Sequence, residues 1–401
     1  MLQYWIWLAQ LAKLTNGEKW QLLQHFRDPQ ELYYSDEERL EEMDGITGAM
    51  KKALEDKQLD RAEQIIQLCR SEGIRLLTIG DEEYPSRLRN IFDPPLVLYY
   101  RGDLPDWKNM PVVGIVGTRR ATTYGNKTAK RYAYQIAACG ALVVSGAADG
   151  IDAAAMQAAL DSGKPVVGVL GCGVDVIYPK KNKQLFERML EGGCLISEFP
   201  PRTQAFAWNF PLRNRIISGM SNALLVVEAP ENSGAMITAR HAMEQGRDIY
   251  AVPGNVDSPT CAGSNALLRE GATPALSGWD VVKEYASDFP GKIKKEEPPA
   301  DEILVAQQPL LPENSRGKSF APDKKSIDKI DNSTYSVVNK PVPALNCEEQ
   351  EVLTRVDVEP KSVDALIDEI PLPSGTVRAV LTKLVVKGLV ASHSGGRVSR
   401  K

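Results

Sequence analysis

Short loops rich in glycine, serine and threonine alternate with apolar runs in the middle of the chain, and their residue types suit phosphate binding. Three of these loops read Gly117-Thr118-Arg119, Ser145-Gly146 and Ser233-Gly234. Small residues before a helix leave backbone N–H groups free for an anion, which the helix dipole also attracts. We expect cations and amides from separate loops to extend this site: Lys180, Asn182, Arg213, Asn214 and Arg215. Such a set suits a chain of phosphates better than one compact nucleotide.

Known nucleotide-binding motifs do not fit these loops. The segment from Gly114 to Arg120 lacks the third glycine of the dinucleotide fingerprint, and Val144 is followed by Ser145 and Gly146 rather than by an acid for a ribose. The sequence also lacks the glycine-rich motif with lysine that phosphate-loop nucleotidases carry. We therefore expect an extended anionic ligand and no cofactor.

Side chains for catalysis or metal binding are scattered along the chain. The histidines, His25, His241 and His393, lie in three different regions, so the sequence indicates no Ser–His–acid set. The six cysteines form no Cys-x-x-Cys pair, which is typical of reduced residues in a cytosolic protein. Carboxylates near the loops, such as Asp149 and Glu228, are expected to cap helices or pair with arginines. We predict no catalytic reaction and no metal site.

Parallel strands would bring the loops together. The apolar runs cover residues 112–116, 141–144, 166–170, 223–227 and 249–252, and segments long enough for helices separate most of them. Continuous apolar runs of this kind predict strands that are buried on both faces. We predict an α/β fold with a Rossmann-like, mostly parallel and doubly wound sheet, whose ligand site lies beyond the carboxyl ends of the strands.

The loops and their neighbours together resemble one known family. The matching blocks are residues 117–119 (GTR), 145–152 (SGAADGID), 171–179 (GCGVDVIYP), 197–200 (SEFP), 209–219 (NFPLRNRIISG), 227–229 (VEA), 233–239 (SGAMITA) and 246–254 (GRDIYAVPG). In this order and spacing they resemble the DprA/Smf family of DNA-processing proteins. The resemblance covers roughly residues 76–282 strongly. Met156 departs from it, because the family often has a histidine there, and Asp149 adds an acid beside the second loop.

The resemblance implies a bacterial cytoplasmic protein that binds single-stranded DNA, protects it and loads RecA onto it for recombination during natural transformation. It also implies a homodimer and no catalytic activity. The formal net charge of −4 means that any DNA contact must come from a local basic crevice rather than from the overall charge.

A nucleotide-cleaving enzyme of the lysine-decarboxylase-like (phosphoribohydrolase) type is the alternative, because its sheet is similar. That family needs a Pro-Gly-Gly-x-Gly-Thr loop followed by a catalytic glutamate. The corresponding residues 229–235 read APENSGA, so the motif is missing.

Four segments are predicted along the chain. Residues 1–73 form a small helical domain, faintly like a helix-hairpin-helix domain near residues 43–49, and its apolar start is too short for a membrane span. Residues 74–286 form the Rossmann-like core. The proline-rich residues 287–344 are a disordered linker.

Residues 345–401 are predicted to form a winged helix, with helices at 348–356, 362–370 and 374–387 followed by a hairpin. Its eight Lys and Arg residues are balanced by eight Asp and Glu residues. A regulatory or protein contact is therefore at least as plausible for this domain as DNA binding.

Overall fold

The computed structural model of the protein describes residues 1–41, 43, 45–296, 347–357, 359, 361–372, 376–377, 380–381, 383–384, 389–393 and 397–400. The chain divides into two compact units, residues 1–310 and 311–401. From residue 297 onward the predicted linker lies outside the described residues, as does much of the predicted third helix at 374–387. Among the described residues, no helix combines the length and apolar character that a membrane span requires.

The first unit begins with short helices. Helices α1 to α6 span Leu2–Gln10, Asn16–Leu23, Pro29–Tyr33, Glu37–Glu41, Gly48–Leu54 and Asp60–Ser71. The sequence sets their starts: Thr15 caps α2 by accepting a hydrogen bond from the Glu18 backbone, and the Glu18 side chain bonds back to Thr15. The sequence had predicted a small helical domain in this part of the chain.

Nine strands form one sheet. They are β1 Arg75–Thr78, β2 Val97–Gly102, β3 Val112–Val116, β4 Leu142–Ser145, β5 Val166–Val169, β6 Gly193–Ser197, β7 Ala223–Val226, β8 Asp248–Ala251 and β9 Thr273–Pro274. Their order across the sheet is β1-β2-β6-β5-β4-β3-β7-β8-β9. Neighbours from β6 to β9 are parallel, whereas β1–β2 and β2–β6 are antiparallel. The predicted mostly parallel, doubly wound sheet is confirmed.

Helices cover both faces of this sheet. They are α7 Ser86–Arg89, α8 Thr123–Ala138, α9 Ile151–Asp161, α10 Lys183–Glu191, α11 Asn209–Met220, α12 Gly234–Glu244, α13 Ala262–Arg269 and α14 Gly278–Val282. One core layer joins α11 and α12 to the N-terminal helices, and the other contains α8, α9, α10 and α14. The two layers explain why the central strands are buried along their whole length.

Two features of the core differ from the sequence prediction. Strand β6 was not among the predicted runs, although all five of its residues are buried. Arg213, Asn214 and Arg215 were expected in a loop, and this was wrong: they lie within α11. Pro211 does not interrupt that helix because it falls in the first turn, where the missing N–H would have had no helical partner.

The second unit is small and separate. Its described helices span Cys347–Arg355 and Val363–Glu369, and its strands are β10 Lys361–Ser362, β11 Val390–His393 and β12 Arg397–Arg400. The strands pair in the order β10-β12-β11. Val352, Leu366, Leu384 and Val390 form part of its own buried core. These elements agree with the predicted winged helix.

Candidate functional site

The direction in which successive strands are added to the sheet reverses between β3 and β7, and a cleft lies at the carboxyl ends of these two strands. From β3 the chain proceeds through β4 to β6 on one side, and β7 to β9 follow on the other. Ligands of open α/β sheets bind at such a switch point. The strand-end cleft, as we call it, has a volume of about 420 Å³ and is lined by the loop after β3, the start of α12 and one side of α11.

The loop after β3 is held in a fixed shape and leaves Arg119 exposed. The Thr118 backbone N–H donates to the Glu228 carbonyl oxygen at 2.7 Å. The Thr122 N–H and hydroxyl donate to the Glu228 carboxylate at 3.0 and 3.1 Å, and Thr122 also caps α8. The Arg119 guanidinium lies 5.1 Å from the centre of the Phe210 ring. The fixed loop therefore presents a cation that stacks on an aromatic ring.

The loop after β4 packs directly against the loop after β3. Gly150 has a φ of +75°, and a Cβ atom there would lie 2.3 Å from the Thr118 carbonyl oxygen. The same oxygen accepts a hydrogen bond from the Ile151 N–H at 3.2 Å. Ser145 is buried and donates to the Ile115 carbonyl oxygen at 2.7 Å. Only glycine at position 150 lets the two loops approach this closely.

Arg213 lies beneath the cleft and is 3 % exposed. Its guanidinium donates to the carbonyl oxygens of Gly146 and Val169, which end β4 and β5. Burial lowers the pKa of Arg213 to about 10, and burial raises the pKa of its neighbour Asp152 from its ordinary value. Arg213 therefore remains a cation at neutral pH and ties α11 to the strand ends.

Helix α12 begins at the cleft with free backbone donors. Ser233 precedes the helix in an extended conformation and makes no side-chain capping bond. Its buried hydroxyl has no hydrogen-bond partner among the described residues. Asn214 donates to the Gly234 carbonyl oxygen at 3.1 Å and so connects α11 to this start. An uncapped helix start that lines a cleft is suited to an anion.

A second cleft, of about 500 Å³, lies on the other side of Arg119. Its lining includes Arg120, Lys130 and Lys181, and Lys181 is paired with Asp149 at 3.1 Å. Asn182 also lines it and donates to the Ala147 carbonyl oxygen at 3.3 Å. A small cavity of about 30 Å³ shares Ala148 and Phe210 with the strand-end cleft and Asp149 with the second cleft, and Arg119 lines all three spaces. The two clefts and the small cavity thus form a connected surface around Arg119, which we call the path.

Two cationic residues that the sequence grouped with this site line neither cleft. Arg215 pairs with Glu198 at 2.7 Å and with Asp93 at 3.1 Å, and its side chain is 10 % exposed. Lys180 lies in the 3-10 turn Lys180–Asn182, is exposed, and has no ion pair within the described part of the chain. Arg215 is thus committed to neighbouring carboxylates, whereas Lys180 is free to meet a ligand beside the path. The structure brings the other predicted residues together around the strand ends: Gly117, Thr118, Arg119, Ser145, Gly146, Asn182, Arg213, Asn214, Ser233 and Gly234.

Aromatic residues around the path were missed by the sequence reasoning. Tyr178 and Phe210 pack with ring centres 5.4 Å apart, and both line the small cavity. Phe206 and Trp208 are exposed beside Ala207, which lines the strand-end cleft. A signal existed: residues 206, 208 and 210 are all aromatic, in a chain whose aromatic content is only 7 %.

The chemistry that this site offers is binding. In the part of the chain that the structure describes, no group of three or more His, Cys, Asp or Glu residues could hold a metal ion. Glu228, which follows β7, is fully buried and hydrogen-bonded to Thr122 and Thr260, so it does not face the cleft. The cleft offers cations, helix starts and aromatic rings, which suit phosphates and bases.

Known proteins match the chain over almost all of its length. A family model described as DNA recombination-mediator protein A matches residues 75–286, and one described as DprA winged helix domain matches residues 339–396. Protein Smf of Synechocystis is 32 % identical over 409 aligned positions, covering 99 % of this chain and 98 % of the relative. DNA processing protein DprA of Bacillus subtilis is 39 % identical over 221 positions, which cover 55 % of this chain and 74 % of the relative.

A solved structure is similar as well. The X-ray structure of DNA processing protein A from Streptococcus pneumoniae superposes with a TM-score of 0.61 at 31 % identity. The match covers 71 % of this chain and 98 % of that chain. The sheet described above is therefore shared with an experimentally determined fold.

Proposed function

Because the chain belongs to the DprA/Smf family of DNA-processing proteins, we propose that its strand-end cleft binds single-stranded DNA. The observation that carries this proposal is the position of Arg119. This exposed arginine lines both clefts and the cavity between them, stacks on Phe210, and has no ion pair within the described residues. An unpaired arginine in a fixed loop is a strong donor to phosphate.

The arrangement favours a flexible polyanion over a single nucleotide. Cations line the path on both sides of Arg119, so successive phosphates would meet successive donors. Phe210 lies within the path, and an unstacked base can pack against its ring. A duplex keeps its bases stacked and turned inward, so it would lose the contact with Phe210. We therefore expect single strands to bind more tightly than duplexes.

The residues around the cleft fall into two groups: those that would contact DNA and those that hold the loops in place. Arg119 and Lys180 would donate to phosphates from their side chains, and the start of α12 would donate from the backbone. Ser145, Gly146, Asn182 and Asn214 hold the loops through hydrogen bonds or close packing. Arg213 supplies positive charge from below the surface.

The finer cellular role rests on the family. We propose that the protein protects incoming single strands in the cytoplasm, acts as a homodimer and hands the DNA to RecA during natural transformation, without a catalytic step of its own. The supporting evidence is the match to proteins named for DNA processing and to the recombination-mediator model. A RecA assay would test it: the protein should shorten the delay before RecA filaments form on single strands.

A titration with a fluorescent oligothymidylate tests the binding site. Arg119→Ala should weaken binding by about 1–3 kcal/mol, because a charge-assisted contact to phosphate is lost. Arg70→Ala is the matched control, since Arg70 is an exposed arginine on α6 and should not contribute. Equal affinities of wild type and Arg119→Ala at moderate salt would contradict the proposal. Release of free base from nucleoside monophosphates would instead favour the nucleotide-cleaving alternative.

A further inference from the structure

An exposed pair of stacked aromatic rings lies beside the strand-end cleft. We infer that Phe206 and Trp208 form a second base-binding platform, which takes an unstacked base of the strand that Arg119 holds by its phosphates. This inference rests on the proposed function, because it needs a single strand in the cleft. It adds a subsite that recognises bases rather than phosphates.

The geometry of the pair leaves ring faces open to a ligand. The ring centres are 4.6 Å apart and the planes differ by only 5°. Phe206 is 44 % exposed and Trp208 is 66 % exposed, so neither belongs to the described hydrophobic cores. In a parallel stack each ring uses one face, and the outer face remains free. Exposed aromatic surface that packing does not explain is typical of a binding site.

The loop that carries the pair is rigid. The Asn209 N–H donates to the Phe206 carbonyl oxygen at 3.0 Å, and the Asn209 side chain donates to Gln204 at 3.4 Å. Further back, the Arg202 N–H donates to the Asp175 carboxylate at 2.9 Å. The backbone that carries the rings is therefore held before a ligand arrives, and the rings stack on each other, which reduces the entropy lost on binding.

The position of the pair beside the cleft is the reason to expect a nucleic-acid base as its ligand. Ala207, between the two aromatic residues, lines the strand-end cleft, and Trp208 directly precedes α11. Two residues further on, Phe210 stacks with Arg119. A strand held at Arg119 would thus pass two aromatic surfaces in succession. Stacking tolerates any sequence because every base has a π-face.

The experiment compares two ligands that share their phosphates. Fluorescent oligothymidylate and an oligomer of the same length made of abasic sites are titrated against wild type and Trp208→Ala. We expect wild type to prefer the oligothymidylate, and Trp208→Ala to reduce that preference about five- to a hundredfold, in line with ~1–3 kcal/mol per stacked base. Trp208→Phe should keep most of the preference because a flat ring remains.

A control variant and the abasic oligomer together distinguish base stacking from a supporting role of Trp208. Phe92→Ala removes a ring that is 94 % exposed and lines neither cleft, so it should leave both affinities unchanged. An equal loss for both oligomers in a Trp208→Ala variant that melts like wild type would show a supporting role and overturn the inference. Unchanged affinities would overturn it too, and would leave the pair as a surface for a protein partner. Failure of wild type to bind either oligomer through Arg119 would instead refute the proposed function.

Discussion

Arg119 and Arg213 lie at the same cleft but in very different surroundings. Arg119 is exposed on a loop, whereas Arg213 is buried and bonded to the carbonyl oxygens that end two strands. The sequence indicated both as phosphate ligands because both are cations near the predicted strands: Arg119 follows the first apolar run, and Arg213 precedes the run at 223–227. Only burial distinguishes a side chain that can move toward a ligand from one that supports the site.

Replacing Arg213 should therefore affect stability first. Arg213→Ala would remove the cation near the buried Asp152 and leave the two carbonyl oxygens without this donor, and an unsatisfied buried polar group costs about 1–3 kcal/mol. Urea denaturation measures the free energy of unfolding. Arg119→Ala, the control, should unfold like wild type. An Arg213→Ala variant of normal stability but with a flatter salt dependence of DNA binding would show direct phosphate contact instead.

Lys180 should show the opposite behaviour. It is exposed and unpaired among the described residues, so Lys180→Ala should leave stability unchanged. Loss of one phosphate contact should reduce the slope of log affinity against log salt by about 0.7 for a single strand. Lys164→Ala is the control, because Lys164 precedes β5 at the opposite end of the strand. Identical slopes for the three proteins would exclude Lys180 from the path.

Helix α9 lies between two glycines that both have a positive φ but differ in how closely other atoms surround them. Gly150 has a φ of +75° before the helix, and Gly163 has a φ of +72° after it. A Cβ at Gly150 would collide with the Thr118 carbonyl oxygen, whereas a Cβ at Gly163 would meet no atom within 4 Å. Backbone strain is common to both positions, but only Gly150 touches the loop that carries Arg119.

Alanine at the two glycines should separate folding from binding. Both replacements should lower the free energy of unfolding by about 1 kcal/mol or more, because alanine resists a positive φ. Gly150→Ala should in addition weaken DNA binding, since the Arg119 loop must move. Comparing oligothymidylate affinities of the folded variants tests this. Equal affinities would mean that the loop adapts without moving Arg119.

The elements of the core were largely predictable, and the site only in part. Continuous apolar runs revealed five strands because buried parallel strands need no polar alternation. The same reasoning could not separate Arg213 from Arg215. On a helix, residues two positions apart project to nearly opposite sides, so one reaches the strand ends and the other reaches Asp93 and Glu198. Only the knowledge that both lie on α11 would have shown this.

At the scale of the whole molecule, a weakly negative chain carries a local cationic path. The formal net charge is −4, yet the cations of both clefts come from one edge of one sheet. Composition alone therefore could not reveal the site. The second unit has a separate hydrophobic core, and the residues that line the clefts all belong to the first unit.

A chain that ends after Glu296 should keep the binding activity. Residues 288–296 pack on the end of α8, where the Lys294 N–H donates to the Cys139 carbonyl oxygen at 3.0 Å and Gln135 donates to Glu296 at 3.1 Å. The chain 1–296 should fold and bind oligothymidylate within about tenfold of full length, near 1.4 kcal/mol. Titrations at two salt concentrations measure this.

A shorter chain provides the control for that truncation. Ending at Ser287 removes Phe289 and Ile293, which pack against the core, so this chain should be less stable than 1–296. A loss of more than tenfold in a folded 1–296 chain would move the principal DNA site into the second unit.

The attachment of residues 288–296 also has a mechanical consequence. Helix α8 has 16 residues and therefore measures about 24 Å at 1.5 Å per residue. Its first turn follows the Arg119 loop, and its last turn holds Lys294 and Glu296. Tension on the chain at Glu296 would act first on these hydrogen bonds, at the end of the helix that is far from the Arg119 loop. Helix α8 thus places the attachment of residues 288–296 about 24 Å from the loop that carries the proposed DNA contact.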